Sequence, residues 1–188
     1  MEGQTISDDE AMARVRDGDL ARLSILFDRH HRRLFGYCFN FVRDRTAAED
    51  LVQEVFVRML KYRHSYREQG RFEAWMFRMA RNVCLDHVDR RGIEIPVEEI
   101  PREADESPEA GPDAVAAGRE ELRILERALG RLPEEKRDLL LLARFGSLTY
   151  DEIAETLGCT VGALKVRVHR ALKQLEDQYA MASEGRAS

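Results

Sequence analysis

Apolar residues along this chain return every three to four positions in one stretch after another, and nowhere alternate with polar residues over the length of a strand. That periodicity predicts an all-α molecule. Ser7 with Glu10 reads as a capping box that opens a short first helix. From Asp19 a long helix is expected to bury Leu20, Leu23, Phe27, His30, Leu34, Tyr37 and Phe41. Thr46 with Glu49 is a second box, starting a helix to about Arg63 with Leu51, Val55, Met59 and Tyr62 on one side. After the polar loop His64 to Arg71, a fourth helix runs from Phe72 to about Arg91, its bulk supplied by Trp75, Met76, Met79, Val83 and Leu85.

Gly92 opens a stretch to Gly118 that holds four of the five prolines and eight acids. That composition cannot bury enough apolar surface to order itself, so it reads as a linker. A helix from about Arg119 to Arg131 follows, and Pro133 starts the next, with Leu139, Leu140, Leu142 and Ala143. Then comes LTYDEIAETLGCTVGALKVRVHRALKQL, Leu148 to Leu175. Thr149 and Glu152 form a capping box flanked by a Leu148–Ile153 staple, Gly158 supplies a left-handed end, and Thr160 caps a second helix. That second helix is expected to bury Val161, Leu164, Val168, Leu172 and Leu175. Its outer face carries Ala163, Val166, Arg170 and Lys173, flanked by Arg167 and His169, and the stretch Ala163 to Leu175 holds four basic residues (Lys165, Arg167, Arg170, Lys173) and no acid. A capped, glycine-turned helix pair with an acid-free basic second helix fits the DNA major groove.

Charge sharpens the division of the chain. The net −5 conceals a segment 1–19 at −4, a segment 20–91 at +6, the linker 92–118 at −7, and a balanced C-terminal part. The organisation expected is an acidic N-terminal segment (1–19), a basic helical domain (20–91), the acidic linker (92–118), a helix-turn-helix domain (119–180) and a disordered tail (181–188). The linker is also placed to compete with DNA for the basic faces beside it. Cys38, Cys84 and Cys159 lack metal or disulfide spacing and suit reduced thiols, the first two as small buried hydrophobes. The five histidines show no ligand-type clustering, so no metal is expected. No phosphate loop or nucleophile elbow is present, which predicts neither an enzyme nor a cofactor. No apolar run reaches the roughly 20 residues of a membrane span, so a soluble cytoplasmic protein is expected.

Two further surfaces are notable. Asp50, Gln53, Glu54 and Arg58 line one side of the third helix, either as a solvated, internally paired face or as a protein-binding one. Around the fourth helix, Tyr66, Phe72 and Trp75 are interleaved with Arg63, Arg67, Arg71, Arg78 and Arg81. Either the aromatics anchor the core, or bases of single-stranded DNA stack on them while the arginines hold phosphates.

Three stretches together resemble the extracytoplasmic-function group of sigma-70-type RNA polymerase sigma factors: AEDLVQEVFVRMLKY (Ala48–Tyr62), RFEAWMFRMARNVCLDHVDRR (Arg71–Arg91) and Leu132–Leu175. The resemblance implies a factor that binds core polymerase through its β′ and β subunits and directs promoter-specific initiation. Asp50, Gln53, Glu54 and Arg58 would then dock on a basic coiled coil of β′. The melted −10 element would meet Arg63, Tyr66, Arg71, Phe72, Trp75, Arg78, Asn82, Asp86 and Arg90, with the loop His64–Arg71 receiving a flipped base. The −35 element would meet Ala163, Lys165, Val166, Arg167, His169, Arg170 and Lys173. The resemblance further implies promoter DNA and an anti-sigma factor as partners, and association with the nucleoid when bound to polymerase. One departure is Ala163, where the family usually has threonine, which bears on base preference. A DNA-binding regulator independent of polymerase would give no reason for the DLVQE face or for the aromatic–arginine helix.

Overall fold

The computed structural model describes residues 6–91 and 112–184, and every element among them is helical. Helix α1 (Asp8–Arg16) starts where expected, with the Ser7 hydroxyl accepting from the Glu10 amide at 3.1 Å. A single 3-10 turn (Leu20–Arg22) precedes α2 (Leu23–Val42), and α3 spans Arg45–Lys61. A second 3-10 turn (Arg63–Ser65) leads toward α4 (Phe72–Arg91).

The four helices bury a row on α2 made of Leu26, His30, Leu34, Tyr37 and Phe41 against Leu51, Val55 and Met59 of α3 and Phe72, Met76, Phe77 and Val83 of α4. Leu20 and Phe27, expected inside, are 49% and 39% exposed. The inward row begins at Leu26 and advances in steps of four, four, three and four. Phe27 lies about 100° further round the helix, and Leu20 sits in the 3-10 turn that precedes it. The cap of α3 also differs from expectation. Asp44, not Thr46, holds the helix start, accepting from the Ala47 amide at 2.9 Å, and Glu49 pairs with Arg45 at 3.2 Å. Tyr62 falls just past the end of α3 and points outward.

The second unit contains α5 (Pro112–Gly130), α6 (Glu134–Phe145), α7 (Tyr150–Thr156) and α8 (Val161–Glu184). Helix α5 begins at Pro112, seven residues before the end of the expected linker; the rest of that linker lies outside the described residues. A proline suits a first helical turn, where its missing N–H would have no partner. Helix α8 runs on to Glu184, so residues 181–184 of the expected tail are helical and 185–188 lie outside the described residues.

The two units pack on one another, α2 against α6 and α4 against α7. Where α2 meets the end of α6, a Cβ on Gly36 would lie 2.6 Å from the Phe145 ring, so the ring packs directly over the glycine and would have to shift to admit a side chain there. Asp138 of α6 enters this seam at 2% exposure, accepting from the Tyr37 hydroxyl at 2.8 Å and pairing with Arg81 at 2.6 Å. Arg33 donates to the Phe145 carbonyl at 3.0 and 2.9 Å while its guanidinium also holds Glu73. Burial, then the Asp138 carboxylate, push the Tyr37 hydroxyl well above its ordinary pKa, so it stays a donor.

Candidate nucleic-acid and partner interfaces

The helix-turn-helix forms as its residues dictate. The Thr149 hydroxyl accepts from the Glu152 amide at 3.3 Å and the Glu152 carboxylate accepts from the Thr149 amide at 2.9 Å, which completes the box. Gly158 takes φ +63, a left-handed conformation that favours glycine. Thr160 accepts from the Ala163 amide at 3.2 Å and so caps α8. Leu164, Val168 and Ala171 are the residues buried along α8, while Leu172, expected inside, is 45% exposed. The inward row steps through 164, 168, 171 and 175, and the small Ala171 fills the seam that Leu172 was expected to fill. Outward, Ala163, Lys165, Val166, His169, Arg170 and Lys173 are exposed, and Arg167 is half-buried, 3.9 Å from Glu135.

On α4 the geometry divides the −10 candidates. Arg71, Trp75, Arg78 and Asn82 recur at steps of four, three and four, on the same side of the chain. Phe72, with Met76 and Val83, lies about a third of a turn further round the helix and faces the core at 1% exposure. Tyr66 is 3% exposed, donates its hydroxyl to Asp9, and touches the half-buried Trp75 edge-on with ring centroids 5.1 Å apart. An open platform of three aromatics is therefore not what folds: Trp75 is the half-exposed ring, with Tyr66 and Phe72 packed behind it. The period of α4 already carried this sign for Phe72, since it shares the row of Met76 and Val83. Arg63 turns back onto the Leu60 carbonyl at 2.8 Å. Asp86 receives Arg58 at 2.8 Å, while Asn82 and Arg90 are exposed.

The cations of this strip meet carboxylates from the other unit, an arrangement with no sign in sequence spacing. Arg71 pairs with Glu155 of α7 and lies 3.8 Å from Glu152, and Arg78 reaches Glu155 at 3.2 Å. The two guanidiniums hold the Glu155 carboxyl below its ordinary pKa, chiefly through the hydrogen bond from Arg71.

On α3, Asp50 and Gln53 are exposed, and Glu54 binds Arg58 at 2.8 Å. Arg58 bridges to Asp86, so this residue ties the α3 face to α4. The same side also exposes Val57, an apolar member that charge-based reading missed, and the part-exposed Phe27 of α2 packs against Phe56 of α3 with centroids 5.0 Å apart. Elsewhere Asp8, His30 and Glu73 bring ligand-type atoms within 4.8 Å of one another. Both carboxylates already face guanidiniums, Arg29 on Asp8 at 2.6 Å and Arg33 on Glu73 at 2.7 Å, so a cation would enter a group whose charge is already balanced. Cys38 and Cys84, distant in sequence, bring their sulfurs to 3.7 Å in the core, and burial raises the Cys84 thiol pKa. No helix among the described residues is long and apolar enough to cross a membrane.

The family comparison agrees with this division into two units. Sigma-70 region 2 matches residues 26–93 and Sigma-70 region 4 matches residues 122–175. The chain belongs to the sigma-70 family. Among curated relatives, the ECF RNA polymerase sigma factor SigE of Mycolicibacterium smegmatis is 34% identical over 84% of this chain and 62% of its own length. The RNA polymerase sigma-H factor of Pseudomonas aeruginosa is 28% identical over 90% of this chain and 92% of its own. Relatives of this kind place it in the extracytoplasmic-function group. Such factors confer promoter specificity on transcription initiation and are not enzymes. The fold is shared with CnrH, solved in complex with the cytosolic domain of CnrY (TM-score 0.67, 23% identity, 90% of this chain and 95% of that one). It is shared also with the sigma factor RpoE solved with the anti-sigma factor NepR from Bartonella quintana (TM-score 0.59, 24% identity, 77% and 88%).

Proposed function

We propose that this sigma factor engages its partners through three separate surfaces. Asp50, Gln53 and Glu54 of α3 meet a basic element of core RNA polymerase, with Arg58 bracing Glu54 from behind. The strip Arg71, Trp75, Arg78 and Asn82, extended by Arg90, holds the melted −10 strand, with Trp75 as the stacking ring. The outward face of α8, from Ala163 to Lys173, reads the −35 duplex. Residues 20–91 and 119–180 are then the two working domains, and the protein acts in the cytosol, at the nucleoid when bound to polymerase. An anti-sigma factor is a further partner, which the bound states of the CnrH and RpoE structures support.

The observation that carries this reading is the exposed, acid-free cationic face of α8 on a fully capped helix-turn-helix. Acids exposed on α3 of a basic domain suit a protein partner, because they would repel phosphates. The test is Asp50→Lys with Glu54→Lys, assayed for co-purification with core polymerase and for transcription from a −10/−35 promoter in a reconstituted system. Both are expected to fall below detection with helicity unchanged, since like charges would then face each other. Normal transcription by the double variant would remove the assignment of α3.

A further inference from the structure

Resting on that reading of the α4 strip, we propose that Asp9 of α1 is a positioning residue for the −10 strand, holding the stacking ring Trp75 in place through the hydroxyl of Tyr66. Helix α1 precedes the stretch matched by Sigma-70 region 2, which begins at residue 26. Sequence reading marks this part of the chain only as an acidic segment with a short capped helix. The fold turns two of its acids inward.

Asp8 and Asp9 are neighbours in the first turn of α1 and so point about 100° apart. Asp8 turns to α2, accepting from Arg29 at 2.6 Å and meeting Nε2 of His30 at 2.7 Å. The His30 ring in turn lies against Phe72 with centroids 5.3 Å apart. Asp9 turns to the loop before α4 and accepts from the Tyr66 hydroxyl. The Tyr66 ring meets Phe72 and Trp75 edge-on, with centroids 6.3 and 5.1 Å away. Adjacent carboxylates therefore fix both rings of this aromatic group that lie inside the fold, one through His30 and one directly. Ala11, Met12 and Val15 are fully buried, which anchors the helix that carries them.

Tyr66 is 3% exposed, and a buried hydroxyl that loses its acceptor is driven toward water. Burial, then the bond to Asp9, push its pKa well above the ordinary value, so the hydroxyl stays a donor. Without Asp9 the ring can satisfy that donor only by swinging outward, and Trp75 then loses the edge that sets its orientation. A ring that is already held stacks on an unpaired base without the cost of being ordered at that moment. Asp9 itself acts through Tyr66 and touches no strand. If it acted by charge alone it would repel phosphates. Positioning and charge thus predict opposite signs when it is removed.

The experiment uses the full chain, whose single tryptophan is Trp75, so intrinsic emission reports that ring without a label. Tryptophan anisotropy reports how firmly the ring is held, and quenching on titration with a mixed-sequence single strand at low salt reports stacking and affinity. Wild type is expected to be quenched by the strand. Asp9→Ala should lower the tryptophan anisotropy and bind the strand about fivefold more weakly, a part of what one stacked base contributes. Asp9→Asn keeps an acceptor oxygen and should restore both readouts to within about twofold of wild type. In a Tyr66→Phe chain, which has no hydroxyl to hold, adding Asp9→Ala should change strand affinity by less than about twofold. Tighter binding by both Asp9→Ala and Asp9→Asn would show a charge effect and overturn the proposal. An equal loss with and without the Tyr66 hydroxyl would overturn the route through Tyr66. Anisotropy and quenching alike in wild type and Asp9→Ala would overturn the positioning role while leaving the stacking role of Trp75 intact. A wild-type chain whose emission the strand leaves unchanged would overturn the assignment of Trp75 on which the proposal rests.

Discussion

Two cationic helix faces, one on α4 and one on α8, invite comparison because their sequences promise much the same thing. Each presents basic side chains at helical spacing with an apolar row behind. In the folded chain their situations differ. Arg71, Arg78 and the neighbouring Arg81 are all paired with acids contributed by α6 and α7, whereas Arg170 and Lys173 of α8 stand exposed. The acidic linker was the expected competitor for basic surfaces. Among the described residues, the carboxylates found there are Asp138 and Glu155, drawn from a domain whose own net charge is near zero; the linker acids Glu98, Glu99, Glu103, Asp105 and Glu106 lie outside the described residues. Availability of a charged surface is thus set by which acids the tertiary structure brings to it, and summed charge by segment does not report this.

The largest effect that would break the comparison comes from Arg81→Ala. It leaves Asp138 at 2% exposure without its cation, a situation that costs about 3–5 kcal/mol in buried sites. The closed form escapes that cost by opening, which puts the carboxylate in water. The variant should therefore show a larger radius of gyration with unchanged helical content; an unchanged radius would mean that the Asp138 contact does not hold the domains together.

A smaller and sharper test is Arg170→Ala. Loss of a base or phosphate contact should weaken duplex binding by roughly 1–3 kcal/mol. The loss should be the same in wild type and in the Asp138→Asn background, because the outer face of α8 is open in both forms. A loss that appears in one background alone, measured by anisotropy titration, would show that domain packing does reach α8.

The smallest effect is set by pH. Arg71 and Arg78 depress the Glu155 carboxyl, so its pairing favours closure at and above the ordinary glutamate range near about 4.3 and is lost as pH falls through the lowered value. Between pH 7 and about 5 strand binding should not change on this account, and the strip is released only as pH falls through the lowered value. These are surface charges, and salt screens them over about 8 Å at physiological ionic strength. The acid response should therefore fade in high salt, which titration of strand affinity at two salt concentrations would show; a response that survives high salt would place the titrating group in the buried seam.

Much of the molecule was legible from local sequence. The Thr149–Glu152 box, Gly158 and the Thr160 cap appear in the structure because each is decided within four residues of backbone. Phase along a helix was less secure. Leu20, Phe27, Tyr62 and Leu172 were placed inside and are found outside, while Leu26 and Ala171 took the inner positions. For Phe27 and Leu172 two rows about 100° apart were both apolar enough to satisfy a period of 3.6, and the packing partner chose between them; Leu20 and Tyr62 lie outside the α-helices, in a 3-10 turn and past the end of α3. The cap of α3 moved from Thr46 to Asp44 for a related reason: both can accept an amide, and the left-handed Arg43 set where the helix had to begin.

The sequence by itself determined the all-α class, the helix-turn-helix and its basic outer face, and the polar face of α3, because periodicity, caps and turn glycines act over one or two turns of chain. It also carried the family resemblance that the region 2 and region 4 matches bear out. Only the tertiary structure decided that Tyr66 packs against Trp75, that Cys38 meets Cys84, and that Asp138 and Glu155 reach across to Arg81, Arg71 and Arg78. Those contacts join residues separated by 46 to 84 positions in the case of the cysteines, Arg71 and Arg78. No local pattern encodes such pairs, because they exist only once two helices from distant parts of the chain have found a common seam.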